Sequence, residues 1–221
     1  MSSYNDTVDI LTKCIRNRED HCCIPCSSML WLDDAFGIAK INSPKSFDVR
    51  SIKYRKEDAG MTVFPQYGLS SRQYNETLVE CNKRASEILS VVWDEDPLSF
   101  IRNLYVDSCK RMRYLIEADS YSIVGPLLHN EGVCEGFAKY INYFCQIAGI
   151  ESTAAVGYLK SDASVGHAWN QIRLNGNWYN LDVTSGLSLS HGKRLAFDYC
   201  LVDDDKIMRT HLFSSPSKGC F

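Results

Sequence analysis

Two apolar runs in the second half of the chain, 165–174 and 177–183, are joined by Asn175-Gly176. Asn-Gly between apolar runs is the strongest short-range signal for a β-hairpin, because a type I′ turn requires positive φ at both of its central residues. The sequence therefore predicts two antiparallel strands here. A two-residue loop pairs Leu174 with Asn177, and this pair fixes every other facing pair along the hairpin.

This register places a histidine and an aspartate on the same face of the sheet. His167 is expected to face Thr184, and Asp182 to face Trp169, so His167 and Asp182 become diagonal neighbours about 7–8 Å apart at the backbone. A three-residue loop would instead put the two side chains on opposite faces. An imidazole beside a carboxylate is the arrangement of a general base and the group that orients it.

A cysteine precedes this hairpin, at a predicted helix start. Apolar residues recur at helical spacing over 134–148, Gly149 is suited to the position after the last turn, and Gly132-Val133 leads in. Cys134 thus falls in the first turn, where unpaired N–H groups and the helix dipole favour a thiolate and can stabilise an oxyanion. The order Cys134, His167, Asp182 predicts a thiol nucleophile with its base and orienting carboxylate.

Each of these residues alone has an ordinary structural explanation. A cysteine at a helix start is often a small buried residue, a strand histidine is often a hydrogen-bonded core residue, and an aspartate before a turn is often a cap. Helix position, hairpin parity and chain order agree only under the catalytic interpretation, which we therefore prefer.

Further residues are candidates for the oxyanion site or the substrate cleft. Tyr121 and Ser122 lie upstream in a segment expected to pass near the cysteine, and no other second oxyanion donor stands out. By the hairpin parity, Trp169 and Trp178 share the face of the histidine, whereas Tyr179 points away from it and is expected in the core.

These motifs resemble the transglutaminase-like superfamily. Its Gly-x-Cys-x-Gly-x-Ala run, His-Ala-Trp-Asn strand and Trp-Tyr-x-x-Asp-x-Thr strand correspond to 132–138, 167–170 and 178–184. The resemblance covers about 121–203. The remainder of the chain resembles, more loosely, the N-terminal region of bacterial members. It implies a papain-like α+β fold with the cysteine helix packed on an antiparallel sheet, and a Cys134–His167–Asp182 triad. Ser185-Gly186 departs from the aromatic residue that many members have there, which puts the cleft lining in question.

The remainder of the chain is predicted as one domain, 1–221, with an N-terminal helix–strand–helix portion over 1–95 and the catalytic core over 96–221. The N-terminal portion has a helix over 5–18, β structure over 47–66 with a turn at 58–60, and a helix from about 71 to 92 capped by Ser70 or Ser71. Asp96-Pro97 then begins a helix expected to run to about Glu117.

Composition excludes several classes of function. A net charge of −3 and a pI near 6.0 offer no basic surface for nucleic acid, and no apolar run is long enough to span a membrane. The first twenty residues lack the pattern of a signal peptide, so we expect a cytoplasmic protein with its ten cysteines reduced.

No metal or cofactor is expected. Cys22, Cys23 and Cys26 lack a second ligand pair at matching spacing, and His129, His191 and His211 are too scattered to supply one. Asp203-Asp204-Asp205 lacks the alternating ligands of a calcium loop and is expected to be a solvated acidic loop.

The sequence therefore predicts a cysteine-dependent acyl-transfer enzyme acting on a peptide or protein substrate, of undetermined oligomeric state. Hydrolysis through a thioester is preferred, because transamidation needs an acceptor-amine site that excludes water. Two alternatives stay open: a protein-glutamine γ-glutamyltransferase, and a non-catalytic domain that keeps the fold for binding.

Overall fold

The structure is a computed structural model that describes residues 4–25, 31–58, 60–190 and 197–214. Its helices are α1 (Tyr4–Arg16), α2 (Leu32–Ile41), α3 (Ser71–Val92), α4 (Pro97–Arg111), α5 (Cys134–Ile147), α6 (Val183–Ser190) and α7 (Asp204–Ile207). Its strands are β1 (Cys22–Ile24), β2 (Val49–Glu57), β3 (Gly60–Tyr67), β4 (Arg113–Tyr114), β5 (Glu131–Gly132), β6 (Ser152–Leu159), β7 (Asp162–Leu174), β8 (Asn177–Leu181), β9 (Cys200–Val202) and β10 (His211–Phe213).

The centre of the fold is a five-stranded antiparallel sheet in the order β10-β6-β7-β8-β9. The predicted hairpin is confirmed: Leu174 pairs with Asn177, and Asn175 and Gly176 have φ of 50° and 84°. The pairing ends at Asn170 opposite Leu181, because α6 begins two residues later. The prediction of a strand through residue 183 was therefore wrong at its end.

Helix α5 packs against this sheet and gives the fold its mixed α+β class. It begins at Cys134, as predicted, and the chain leaves it through Gly149 with φ of +67°. One face of α5 enters a large core with α3, α4 and β7, in which Phe137, Ile141 and Phe144 are almost wholly buried. The sequence pattern that predicted this helix is the pattern of its buried face.

Helices α3 and α4 begin where the sequence predicted. Ser70 caps α3 in a reciprocal capping box with Gln73, and Asp96 caps α4 ahead of its proline. The expected end of α4 near Glu117 was wrong. The helix stops at Arg111, because Arg113 and Tyr114 leave it to pair in parallel with β5, a contact that local spacing does not encode.

The N-terminal portion contains more elements than the predicted helix–strand–helix. The helix over 5–18 is α1 and the β structure over 47–66 is the β2–β3 hairpin, but α2 was not predicted. Helix α2 closes a second core, in which N-terminal residues pack against Ala138, Ala154 and Ala168 of the central elements. In the described part of the chain, no helix is long and apolar enough to cross a bilayer.

Candidate active site

Cys134 lies at one wall of a cleft of about 290 Å³. Its wall elements are α5, β6, β7, the segment before α5, and α2, which contributes Asp34, Gly37 and Ile41. Cys134 is half-buried and free of disulfide bonding. No side chain of the N-cap residue Val133 bonds to the first turn of α5, so the positive end of this helix faces the cleft without a cap from that residue.

His167 lines the same cleft and is held by Asp182. The imidazole Nε2 lies 2.9 Å from Asp182 Oδ2, and both side chains are buried. The predicted contact between the two residues is therefore present. Since Nε2 faces the carboxylate, Nδ1 is the ring nitrogen left free to face the cleft that His167 shares with Cys134.

The charges of this group reinforce one another. Burial alone would lower the pKa of His167, but the charge and hydrogen bond of Asp182 outweigh it, and with a further contribution from Cys134 they raise that pKa to about 10. Burial alone would raise the pKa of Asp182, but His167 and then His211 hold it well below its usual range. An imidazolium paired with a buried carboxylate is the state favoured at neutral pH.

Asp182 also begins helix α6. Its Oδ1 accepts hydrogen bonds from the backbone N–H groups of Thr184 (2.8 Å) and Ser185 (3.2 Å), and its Oδ2 accepts one from Ser185 Oγ at 2.5 Å. The capping explanation for this aspartate is thus correct, and the same carboxylate also reaches the histidine through its other oxygen.

His211, which the sequence analysis considered only as a ligand of a zinc site, belongs to this cluster. Its Nε2 lies 3.0 Å from Asp182 Oδ2 and the residue is completely buried. Strand β10 brings it there from the far edge of the sheet, across β6. No spacing rule places residue 211 beside residue 182. The one hint in the sequence is a histidine within a short apolar strand that no other prediction explains.

The further cleft candidates occupy different positions. Tyr121 lines the cleft with Cys134, whereas Ser122 lines a neighbouring cavity and accepts a hydrogen bond from Val124 N–H. Trp169 is 1% exposed and does not line the cleft; its ring stacks against His167 with centroids 6.0 Å apart. Its indole N–H donates to Asn180 Oδ1 at 3.0 Å, so it supports the histidine from behind.

Tyr114 is a cleft neighbour that the sequence analysis missed. It pairs with Gly132 across the short β4–β5 ladder, which brings it next to the start of α5. Burial and, after it, the charge of Cys134 raise the pKa of its phenol, so the hydroxyl stays protonated and can donate a hydrogen bond. The sequence analysis missed this position because it placed Tyr114 inside a helix predicted to run to about Glu117.

At the cleft wall, next to Cys134, Glu135 is paired with two lysines. Its Oε1 accepts from Lys139 Nζ at 2.6 Å and Lys40 Nζ at 3.0 Å, and Lys139 also donates to the Tyr121 carbonyl at 2.7 Å. Burial opposes the charge of Glu135, yet the two lysines hold its pKa below the usual value. The cluster ties α2, α5 and the Tyr121 segment together around the cysteine.

The other candidate ligands have structural explanations. Cys22 is half-buried and Cys23 exposed, both as free thiols, while Cys26 and His191 lie outside the described residues. The predicted solvated loop at Asp203-Asp204-Asp205 is instead a helix start: Asp203 caps α7 and Asp204 accepts from Asn180. Among the described residues, His167, Asp182 and His211 form the one group whose ligand atoms lie close enough for a metal, and their 2.9 and 3.0 Å contacts are hydrogen-bond distances.

Residues 85–183 match the family model of the transglutaminase-like superfamily. This segment contains Cys134, His167 and Asp182 and ends one residue beyond the aspartate. This segment is therefore similar to a transglutaminase-like core. The predicted family and the α+β fold class, with a cysteine helix on an antiparallel sheet, are confirmed, and His211 lies outside the segment that the model matches.

Individual relatives are distant. The chain is 24% identical over 123 residues to Kyphoscoliosis peptidase of Mus musculus, and this alignment covers 49% of the chain and 18% of that protein. The chain thus spans less than a fifth of this curated relative. Similar solved structures are a TGase (9% identity, 67% of this chain and 47% of the other, TM-score 0.44) and a candidate cysteine protease of Cytophaga hutchinsonii (12% identity, 74% and 65%, TM-score 0.44).

Proposed function

We propose that this chain is a cysteine-dependent acyl-transfer enzyme that hydrolyses a peptide or amide bond through a thioester. The observation that carries the proposal is the position of His167, which is hydrogen-bonded to Asp182 and lines the same cleft as Cys134. A purely structural role for His167 would not explain why it shares a cleft with the Cys134 thiol at the start of α5.

The reaction follows from these contacts. The Cys134 thiolate attacks the substrate carbonyl carbon, and N–H groups of the first turn of α5 stabilise the oxyanion. The C–N bond breaks as His167 gives its proton to the leaving amine. Water then attacks the thioester carbonyl, His167 takes a proton from that water, and the C–S bond breaks, which releases the acid and restores the Cys134 thiolate beside the imidazolium. Asp182 keeps the imidazole oriented and stabilises its charge.

Peptide or protein is the substrate class we favour. The relative at 24% identity bears the name of a peptidase, and the cleft of about 290 Å³ is open enough for an extended chain. A location in the cytoplasm and a single domain remain predictions from the sequence.

Alkylation of Cys134 tests the proposal. We expect iodoacetamide to modify Cys134 well below pH 8, and His167→Ala to abolish that low-pH reactivity. The extent of modification at each cysteine is measured by mass spectrometry of digested peptides. Cys23, an exposed free thiol of the same chain, serves as the internal control. Slow alkylation of Cys134 that rises only with alkaline pH in both proteins would contradict the proposal and favour a binding domain.

A second measurement distinguishes hydrolysis from transamidation. A glutamine-containing peptide is incubated with the enzyme with and without a primary amine, and the products are weighed. We expect hydrolysis in both samples and no product in Cys134→Ala. Incorporated amine would assign the transferase reaction instead.

A further inference from the structure

The Asp182 carboxylate is surrounded by more hydrogen-bond donors than an orienting aspartate needs. Five donors reach it: His167 Nε2, His211 Nε2, Ser185 Oγ, and the backbone N–H groups of Thr184 and Ser185. A carboxylate offers about four lone-pair sites, so this one is saturated. It is also fully buried, and without these donors the ionised form would be strongly disfavoured.

His211 is the donor whose presence the chemistry of the proposed triad does not explain. It does not line the cleft and is 0% exposed, so substrate does not reach it. Its ring is fixed by aromatic neighbours, with centroids 5.0 Å from Trp169, 5.3 Å from His167 and 5.7 Å from Tyr199. An imidazole buried this completely and aimed at a carboxylate is placed to donate a hydrogen bond.

The hydroxyl of Thr210 lies next to His211 and favours one position for the ring hydrogen of that histidine. Thr210 Oγ1 lies 2.9 Å from His211 Nδ1. If the threonine donates to Nδ1, the neutral ring carries its hydrogen on Nε2, where it faces Asp182. The alternative acceptor for that hydroxyl, the Ile207 carbonyl, is farther away at 3.4 Å.

The close packing of β10 against β6 makes the contact between His211 and Asp182 possible. His211 is opposite Leu159 and His167 is opposite Gly157, two residues apart on β6, so both rings lie on the same face with β6 between them. A Cβ at Gly157 would meet the Leu212 carbonyl oxygen at 1.8 Å. Glycine at 157 is therefore required for β10 to approach closely enough to deliver His211.

We infer that His211 is a positioning residue, which together with Ser185 and the start of α6 clamps Asp182 in its ionised, correctly oriented state behind His167. The role rests on the proposed function, since it acts on the orienting carboxylate of that reaction. His211 lies outside the segment 85–183 that the family model matches.

Two substitutions separate the hydrogen bond from the ring. His211→Phe keeps an aromatic ring in the same space and removes the donor, whereas His211→Gln loses the ring and keeps an N–H donor of similar reach. Loss of one hydrogen bond to a charged group predicts a fall in kcat of roughly 10- to 100-fold for the phenylalanine variant, with KM little changed. The glutamine variant should recover most of this loss.

The pH dependence of Cys134 alkylation gives a readout that packing alone does not move. Removing a donor raises the pKa of Asp182, so the acid limb of the profile should shift to higher pH in His211→Phe and stay near the parent position in His211→Gln. The other groups facing Asp182 are the imidazolium of His167 and the neutral Tyr105, Cys109 and Tyr114, which both variants retain. Equal losses in both variants with unmoved acid limbs would overturn the inference.

A spectroscopic arm keeps the inference separate from the proposed function. In Cys134→Ala, proton NMR should show two slowly exchanging imidazole N–H resonances, from His167 and His211, and Asp182→Asn should shift both. These signals do not depend on activity. Absence of a protected His211 N–H would refute the clamp even if the enzyme is active, whereas its presence in an inactive protein would refute only the proposed function.

Discussion

At the scale of single residues, the site is built around one buried charge. Asp182 is 1% exposed and His167 is 7% exposed, so the interaction between them is poorly screened and shifts the pKa of each strongly toward its charged form. Hairpin parity could predict this pair because a turn of known length fixes which residues share a face. It could not predict His211, which arrives from a strand 29 residues beyond Asp182.

The His167–Asp182 pair predicts a pH-dependent stability. The folded-state pKa of His167, about 10, lies above the ordinary value of 6.5, so its contribution is fully present below about pH 6.5 and is lost as pH rises through about 10. We expect the free energy of unfolding, measured in urea, to fall between pH 7 and pH 10. Asp182→Asn removes the cause of the raised pKa. The decline in that variant should be smaller, and an identical decline in both proteins would contradict the electrostatic explanation.

At the scale of elements, local patterns predicted where helices and strands begin better than where they end. The starts of α3 and α4 depend on caps within the same few residues, at Ser70 and Asp96, whereas α4 ends because Arg113 and Tyr114 pair with a strand elsewhere in the chain. Helix α2 was missed because it begins at Leu32 after Trp31, whose side chain makes no capping hydrogen bond. Its apolar face is nevertheless buried in the second core.

Substitution of alanine for glycine should change the free energy of unfolding in opposite directions at two helical positions. A Cβ at Gly136 in α5 would meet the Ser120 carbonyl oxygen at 2.1 Å, whereas a Cβ at Gly37 in α2 meets nothing within 4 Å. Alanine is favoured over glycine in a helix by roughly 1 kcal/mol, so Gly37→Ala should stabilise the protein by up to that amount.

Gly136→Ala should instead destabilise by about 1–3 kcal/mol, because backbone rather than a flexible side chain must move. Urea unfolding of the two variants beside the parent measures both effects. The displaced Ser120 segment also carries Tyr121, so Gly136→Ala should additionally slow alkylation of Cys134 while Gly37→Ala leaves it unchanged. Equal stability of the two variants would show that the Ser120 segment is not fixed against α5.

At the scale of the whole molecule, the N-terminal portion completes the cleft that the transglutaminase-like core begins. Asn42, directly after α2, accepts hydrogen bonds at Oδ1 from Asn142 Nδ2 and Ala154 N–H and donates to Thr153 Oγ1. These contacts join residues about a hundred positions apart and hold α2 over the cysteine. No spacing within the sequence encodes such a contact, which is why the His167–Asp182 contact could be predicted from the sequence and the far wall of the cleft could not.

The position of α2 predicts that substrate access can be blocked from the N-terminal portion without touching the reacting groups. Gly37 lines the cleft and has open space beside it, so Gly37→Trp should place an indole in the volume of about 290 Å³ without straining the helix. We expect peptide hydrolysis to fall sharply through a raised KM, while iodoacetamide, which is small, still alkylates Cys134 with the parent pH profile. Gly37→Ala is the matched control and should keep peptide hydrolysis. If Gly37→Trp hydrolyses peptides as the parent does, substrate does not bind along α2; if it also loses alkylation, the indole has disturbed the thiol itself.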